Sequence, residues 1–171
     1  NKSPKNLPWR EVEQLAFDAS KDKLCQATQL HVPRIGELFV LRSDASGVAV
    51  AGALSQLIAG KGGATSDVTE KRDGEMPIAF CSQKLTATQQ AWSTIEREAY
   101  AVIFALKKWH YLIFGAPVVV FSDHNPLTYI VSNATNSAKL TRWSLALQEY
   151  NITFRYAKGR SNIVADCLSR P

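Results

Sequence analysis

The chain has 171 residues, enough for one domain with a substantial core and a short appendage, and too few for two full domains. With 46% hydrophobic and 20% charged residues it has the composition of an ordinary globular protein rather than a disordered one, and no apolar run approaches the roughly 20 residues of a membrane-spanning helix. A net charge of +5 favours an anionic partner without naming one, because the Lys and Arg residues are spread along the chain rather than gathered in a tail.

From Pro8 to Leu30, apolar residues at Val12, Leu15, Ala16, Ala19, Leu24 and Leu30 have mostly helical spacing. Pro8 fits the opening turn. "LFVLRSDAS" and "VAVAGALSQL" then read as two strands joined in a hairpin through Gly47. A long polar and glycine-rich stretch from Gly60 to about Glu75 is expected to be a mobile or disordered loop, and "PIAFCSQKL" supplies a third strand. The clearest helix follows. Ser93 and Glu96 have capping-box spacing, while Ile95, Ala99, Val102, Leu106, Trp109 and Ile113 recur every three or four residues until Gly115 and Pro117 stop the pattern. "VVVFS" is a buried strand; "NPLTYIVS" and "KLTRWSLALQEY" suggest helices, "ITFRYAKG" a fifth strand and "SNIVADCLSR" a closing helix. This order predicts an α/β fold with a five-stranded mixed sheet and helices on its faces.

The three cysteines, Cys25, Cys81 and Cys167, and the three histidines, His31, His110 and His124, are scattered without ligand spacing, so buried thiols in a reducing compartment are expected. Four carboxylates do not follow from packing. Asp44 and Asp123 each terminate a core strand, where ligand sites of open α/β sheets form, although aspartate is also favoured in turns. Glu98 lies inside the apolar helix, aligned with Val102, Ala105 and Trp109, where a carboxylate needs a cation. Asp166 sits in the first turns of the last helix, where the helix dipole alone would favour it. Hard oxygen donors without His or Cys companions suit Mg²⁺ or Mn²⁺ rather than zinc.

The collinear blocks "SDASGVAVAGALSQ", "PIAFCSQKLT", "EREAYAVIFALKKWHYLIFG", "VVFSDHNPL", "RWSLALQEYNITFRYAKGRSN" and "VADCLSR" resemble the ribonuclease H domain of gypsy-type LTR retrotransposon polyproteins. "VEQLAFDASKDKL" resembles the end of the reverse transcriptase connection segment that precedes it. The resemblance divides the chain into a connection tail, 1–34, and a ribonuclease H domain, 35–171, and the abrupt ends read as those of a piece of a longer polypeptide. It implies a ribonuclease H-like fold and hydrolysis of the RNA strand of RNA/DNA hybrids, leaving a 3′-hydroxyl and a 5′-phosphate. The catalytic and metal-binding acids would be Asp44, Glu98, Asp123 and Asp166, holding two Mg²⁺ ions, or Mn²⁺ in their place. Asp44 would bridge both ions, Glu98 and Asp123 would complete the shell of one, and Asp166 that of the other.

Substrate contacts are expected near Ala45, Ser46, Thr94 and Asn125, with Arg155, Lys158 and Arg160 holding phosphates. The implied partners are the hybrid and the polymerase of the same polyprotein, with no membrane, in an intracellular, cytoplasmic and particle-associated setting. Two departures from the wider pattern stand out. "YAKGRSNIVAD" lacks the histidine that many relatives carry before the last acid, and "KKWHYLIFGAPV" lacks a basic helical insertion, which implies weak binding by this part alone. The alternative reading is a ribonuclease H-like module without cleavage activity that serves a structural or nucleic-acid-binding role.

Overall fold

The computed structural model describes residues 10–27, 30–57, 74–122, 129–130, 137–157 and 162–170, except for the side chains of 20, 23–27 and 163. The chain divides into two compact units, Asn1–Leu30 and His31–Pro171. The first contains helix α1 (Glu11–Ala27), on which Val12, Leu15 and Phe17 are exposed.

In the second unit, β1 (Phe39–Ala45), β2 (Ala49–Leu57) and β3 (Glu75–Lys84) form an antiparallel meander, while β4 (Pro117–Ser122) and β5 (Asn151–Tyr156) extend the sheet in parallel. The spatial order is β3-β2-β1-β4-β5, the five-stranded mixed sheet that the pattern predicts. Helices α2 (Ala87–Gln90), α3 (Thr94–Lys108) and α4 (His110–Ile113) precede β4, α5 (Ala138–Gln148) precedes β5, and α6 (Ile163–Ser169) follows it.

Alternation of side chains along each strand sorts the core into two layers. Phe39, Leu41, Leu54, Val118 and Val120 pack with Ala99, Val102, Ala105 and Leu106 of α3 and with Leu140, Trp143 and Leu147 of α5. Val40, Leu57, Val119 and Phe121 form a smaller cluster on the opposite face with Leu38 and Ala157. Gly52 lets α3 approach β2: a Cβ there would stand 3.0 Å from Ala105 Cβ and 3.2 Å from Cys81 Sγ.

Three expectations are revised by the structure. The single long helix ends at Trp109 (φ −112°, ψ 19°), and a short turn of helix, α4, carries the chain to Gly115, whose φ of +78° glycine adopts without strain. Glu75, expected in the loop, opens β3 and is buried: its carboxylate accepts from Arg42 Nη2 at 2.6 Å and from Ser55 Oγ at 3.0 Å. Cys81 is buried but Cys167 is exposed, because Ala165 and Ser169, one turn apart, form the inward face of α6 and Cys167 lies between them on the outer side. Both are free thiols, and burial pushes that of Cys81 up to about 11.

Helix α2 was not anticipated, although Thr86 and Gln89 carry a complete capping box of their own. The stretch from Gly60 through residue 73 and most of "NPLTYIVS" lie outside the described residues. No helix among the described residues is long and apolar enough to cross a membrane.

Candidate active site at the strand ends

Asp44 is the penultimate residue of β1, held opposite Ala51 of β2, and only 8% exposed. The turn beyond it is stitched by Ser46: its backbone N–H donates to the Ala49 carbonyl at 2.9 Å, and its Oγ accepts from the N–H groups of Val48 at 3.1 Å and Ala49 at 3.0 Å. A strand end held this way has little freedom, so the Asp44 Cα is set by the backbone before any side chain acts.

On its face of the sheet, Asp44 has the same parity as Val40 and Arg42. Arg42 is 1% exposed, bound to Glu75 and stacked 4.3 Å from the Phe121 ring centroid. Two residues of strand rise, about 7 Å, separate Arg42 from Asp44. Glu75 opposes the field that the guanidinium exerts on the aspartate.

Helix α6 meets the same strand end through several hydrogen bonds. The Asn162 side chain, at its N-cap position, donates from Nδ2 to the Ser43 carbonyl at 2.7 Å. Ser46 Oγ donates to the Ser169 carbonyl at 2.5 Å, and Ser82 Oγ to the Leu168 carbonyl at 2.8 Å, satisfying carbonyls that the end of a helix leaves open. Ser169 Oγ donates to Asp44 Oδ2 at 2.5 Å. Asp44 is thereby connected through one side chain to the helix that carries Asp166. Asp166 itself is part-exposed, and its Oδ1 accepts from Arg170 Nη2 at 2.6 Å. An exposed i,i+4 pair of this kind is worth roughly 0.3–0.5 kcal/mol and is readily exchanged for another cation.

Glu98 lies on the buried side of α3, 3% exposed among Ala99, Ala101 and Val102. The helix is positioned by its cap. Ser93 Oγ accepts from the Glu96 N–H, and the Glu96 carboxylate accepts from the Ser93 N–H at 3.0 Å. Burial pulls the Glu96 carboxyl up, but the Lys139 ammonium at 2.6 Å and the Ser93 donors outweigh it and hold its pKa below the ordinary value. Lys139 also lies 4.2 Å from the Trp92 ring, so the start of α3 and the start of α5 are clamped together.

The remaining expected residues are distributed as follows. Ala45, half-buried, ends β1 opposite Val50, and the Ser46 hydroxyl is committed to its turn and to α6. Thr94, exposed, opens α3 and accepts from Arg97 Nη2 at 3.3 Å; Arg155, half-buried, lies opposite Phe121 on β5. Asp123, Asn125, Lys158 and Arg160 lie outside the described residues, as does His124. Among the described residues no three His, Cys, Asp or Glu side chains gather closely enough to hold a metal ion. Sequence reasoning missed Asn162 and Ser169. The only available signal was their spacing of four before and three after Asp166, which brings all three near one helix face.

A family model described as the RNase H-like domain found in reverse transcriptase matches residues 35–150. Among curated proteins, the chain is similar to the retrovirus-related Pol polyprotein from transposon opus of Drosophila melanogaster, 36% identical over 91% of this chain and 14% of the polyprotein. It is also similar to that from transposon gypsy of the same organism, 31% identical over 97% of this chain and 15% of the polyprotein. The chain thus spans about one-seventh of the length of these relatives. Among solved structures, the foamy viral protease-reverse transcriptase in complex with RNA/DNA hybrid aligns with a TM-score of 0.60 at 20% identity, covering 92% of this chain and 20% of that one. This likeness shows a shared fold.

Proposed function

We propose, from the premise that this chain belongs to the family of RNase H-like domains found in reverse transcriptase, that it is a metal-dependent endonuclease hydrolysing the RNA strand of RNA/DNA hybrids during reverse transcription of a retroelement. The observation that carries the proposal is the Ser169 hydrogen bond, which ties the Asp44 carboxylate at the exit of β1 to the helix bearing Asp166. Asp44 lies two residues past Arg42, and Asp123 two residues past Phe121, the partner of Arg42 in the parallel pair.

The donor set fits Mg²⁺ or Mn²⁺ in kind, being carboxylate oxygen throughout. It requires Asp123, since the described acids alone do not form a group of three. When bound, the ions would supply charge that lowers the pKa of water and stabilises the leaving oxygen. The chain's own residues do the positioning. Asp44 would present a carboxylate held by strand and serine, Glu98 a buried one, and Asp166 one now paired with Arg170, and these would hold the ions.

Asn125, Lys158 and Arg160, with Arg155, Thr94 and the Ala45–Ser46 turn, would meet the sugar-phosphate backbones of the substrate. Residues 1–34 would be the end of the connection segment, linking this domain to its polymerase within an intracellular polyprotein.

Cleavage of an end-labelled RNA/DNA hybrid in Mg²⁺ and in Mn²⁺, run beside Asp123→Asn, tests the proposal. Product well above the variant's level is expected. Equal levels in both metals would sink the enzyme reading, and DNA/DNA cleaved as fast as hybrid would refute the specificity. The rival, a silent module of the same fold, is favoured only by the absence of three close acids among the described residues. It predicts hybrid binding without product.

A further inference from the structure

We propose that Ser169 is a positioning residue that sets the orientation of the Asp44 carboxylate, a role that rests on the reading of Asp44 as a metal ligand. Ser169 is fully buried, and its Oγ stands 2.5 Å from Asp44 Oδ2 and 3.0 Å from the Asp166 carbonyl. A hydroxyl has one proton, and the carboxylate is the stronger acceptor, so the proton goes to Asp44.

Three further hydrogen bonds between α6 and the sheet or its turn, among the described residues, end on backbone carbonyls: Asn162 Nδ2 to Ser43, Ser46 Oγ to Ser169 and Ser82 Oγ to Leu168. They anchor both ends of the helix without touching Asp44. The Ser169 hydroxyl adds little to that anchoring. Its distinctive effect is to stop rotation of the aspartate carboxylate about its Cβ–Cγ bond, so that the second oxygen keeps one direction. A neutral donor does this without cancelling the charge a cation would need, whereas a lysine or arginine at the same place would compete with the cation.

The consequence can be read without nucleic acid. Mn²⁺ binding to the full chain is followed by loss of the free-ion electron paramagnetic resonance signal, for the wild type and for Asp44→Asn, Ser169→Ala, Ser169→Thr and Ser82→Ala, each checked for an unchanged far-ultraviolet spectrum. Asp44→Asn is expected to lose binding, and Ser169→Ala to weaken it about tenfold, the usual consequence of removing a hydrogen bond to a metal ligand. Ser169→Thr, which keeps the hydroxyl, should recover most of the loss, and Ser82→Ala, which removes only an anchor, should bind like the wild type. In cleavage assays the Ser169→Ala defect should shrink as Mg²⁺ is raised.

If Ser169→Ala binds Mn²⁺ like the wild type while Asp44→Asn does not, the proposal is overturned and the metal reading stands. If Ser82→Ala weakens binding as much as Ser169→Ala, Ser169 is merely an anchor and the proposal again fails. If Asp44→Asn binds Mn²⁺ like the wild type, the metal reading itself falls.

Discussion

At the scale of single residues, charge burial separates Glu98 from Glu96, two positions apart on α3. Glu98 is enclosed by the core, where an ionised carboxylate is costly, whereas Glu96 is held at the helix start by Ser93 and Lys139. Glu98→Gln should therefore lower hybrid cleavage by about 100-fold or more while leaving the thermal midpoint unchanged or higher, a combination readable by a cleavage assay beside a melting curve. Glu96→Gln should behave oppositely. Its cleavage should persist, and its stability should depend on pH in a definite direction. The folded-state pKa of Glu96 lies below the ordinary value of 4.5, so its contribution is present above that value and lost as pH falls through the folded-state pKa. Wild type and Glu96→Gln should differ in thermal midpoint at neutral pH and converge as pH falls below the folded-state pKa. The burial of Glu98 was legible in the sequence because a carboxylate among apolar residues contradicts packing. Ser169 and Asn162 were not, because a serine and an asparagine at the two ends of a short helix look like ordinary capping and solvent-facing residues.

At the scale of elements, hydrophobic period and capping chemistry marked all five strands and the main helices. The failures have local causes. Glu75 was assigned to the loop because a charged residue after a polar run looks solvated, and only the three-dimensional register shows that Arg42 and Ser55 wait for it at the mouth of β3. The break at Trp109 carries no proline or glycine to announce it. Gly52 is a point of close approach between α3 and β2. Gly52→Ala forces its new Cβ against Ala105, Cys81 and Trp109, and should cost roughly 1–3 kcal/mol by urea unfolding, with Cys81→Ala in the same chain recovering part of it. An unchanged unfolding midpoint would mean that α3 can move away from β2, and that Glu98 is held less firmly than the packing indicates.

At the scale of the whole chain, the sheet and its helices belong to the unit His31–Pro171, and residues just inside its beginning already bond to it. His31 N–H donates to the Pro77 carbonyl, and Arg34 exchanges hydrogen bonds with the Gln56 side chain at 2.9 Å in each direction. A fragment beginning at His31 should unfold in one cooperative transition close to that of the full chain, whereas one beginning after Arg34 should lose midpoint by several degrees; calorimetry of the two fragments decides it. The hydrogen bond from Ser169 to Asp44 joins residues 125 positions apart. Order in time follows from that separation. A ribosome delivers the β1–β2 hairpin well before α6, so Asp44 emerges before the hydroxyl proposed to orient it. Until α6 is made, Asp44 lacks the Ser169 hydroxyl and the proposed site lacks Asp166. Helix α6 thus completes the proposed site, and a chain cut before it is expected to keep the sheet's five strands and show no cleavage.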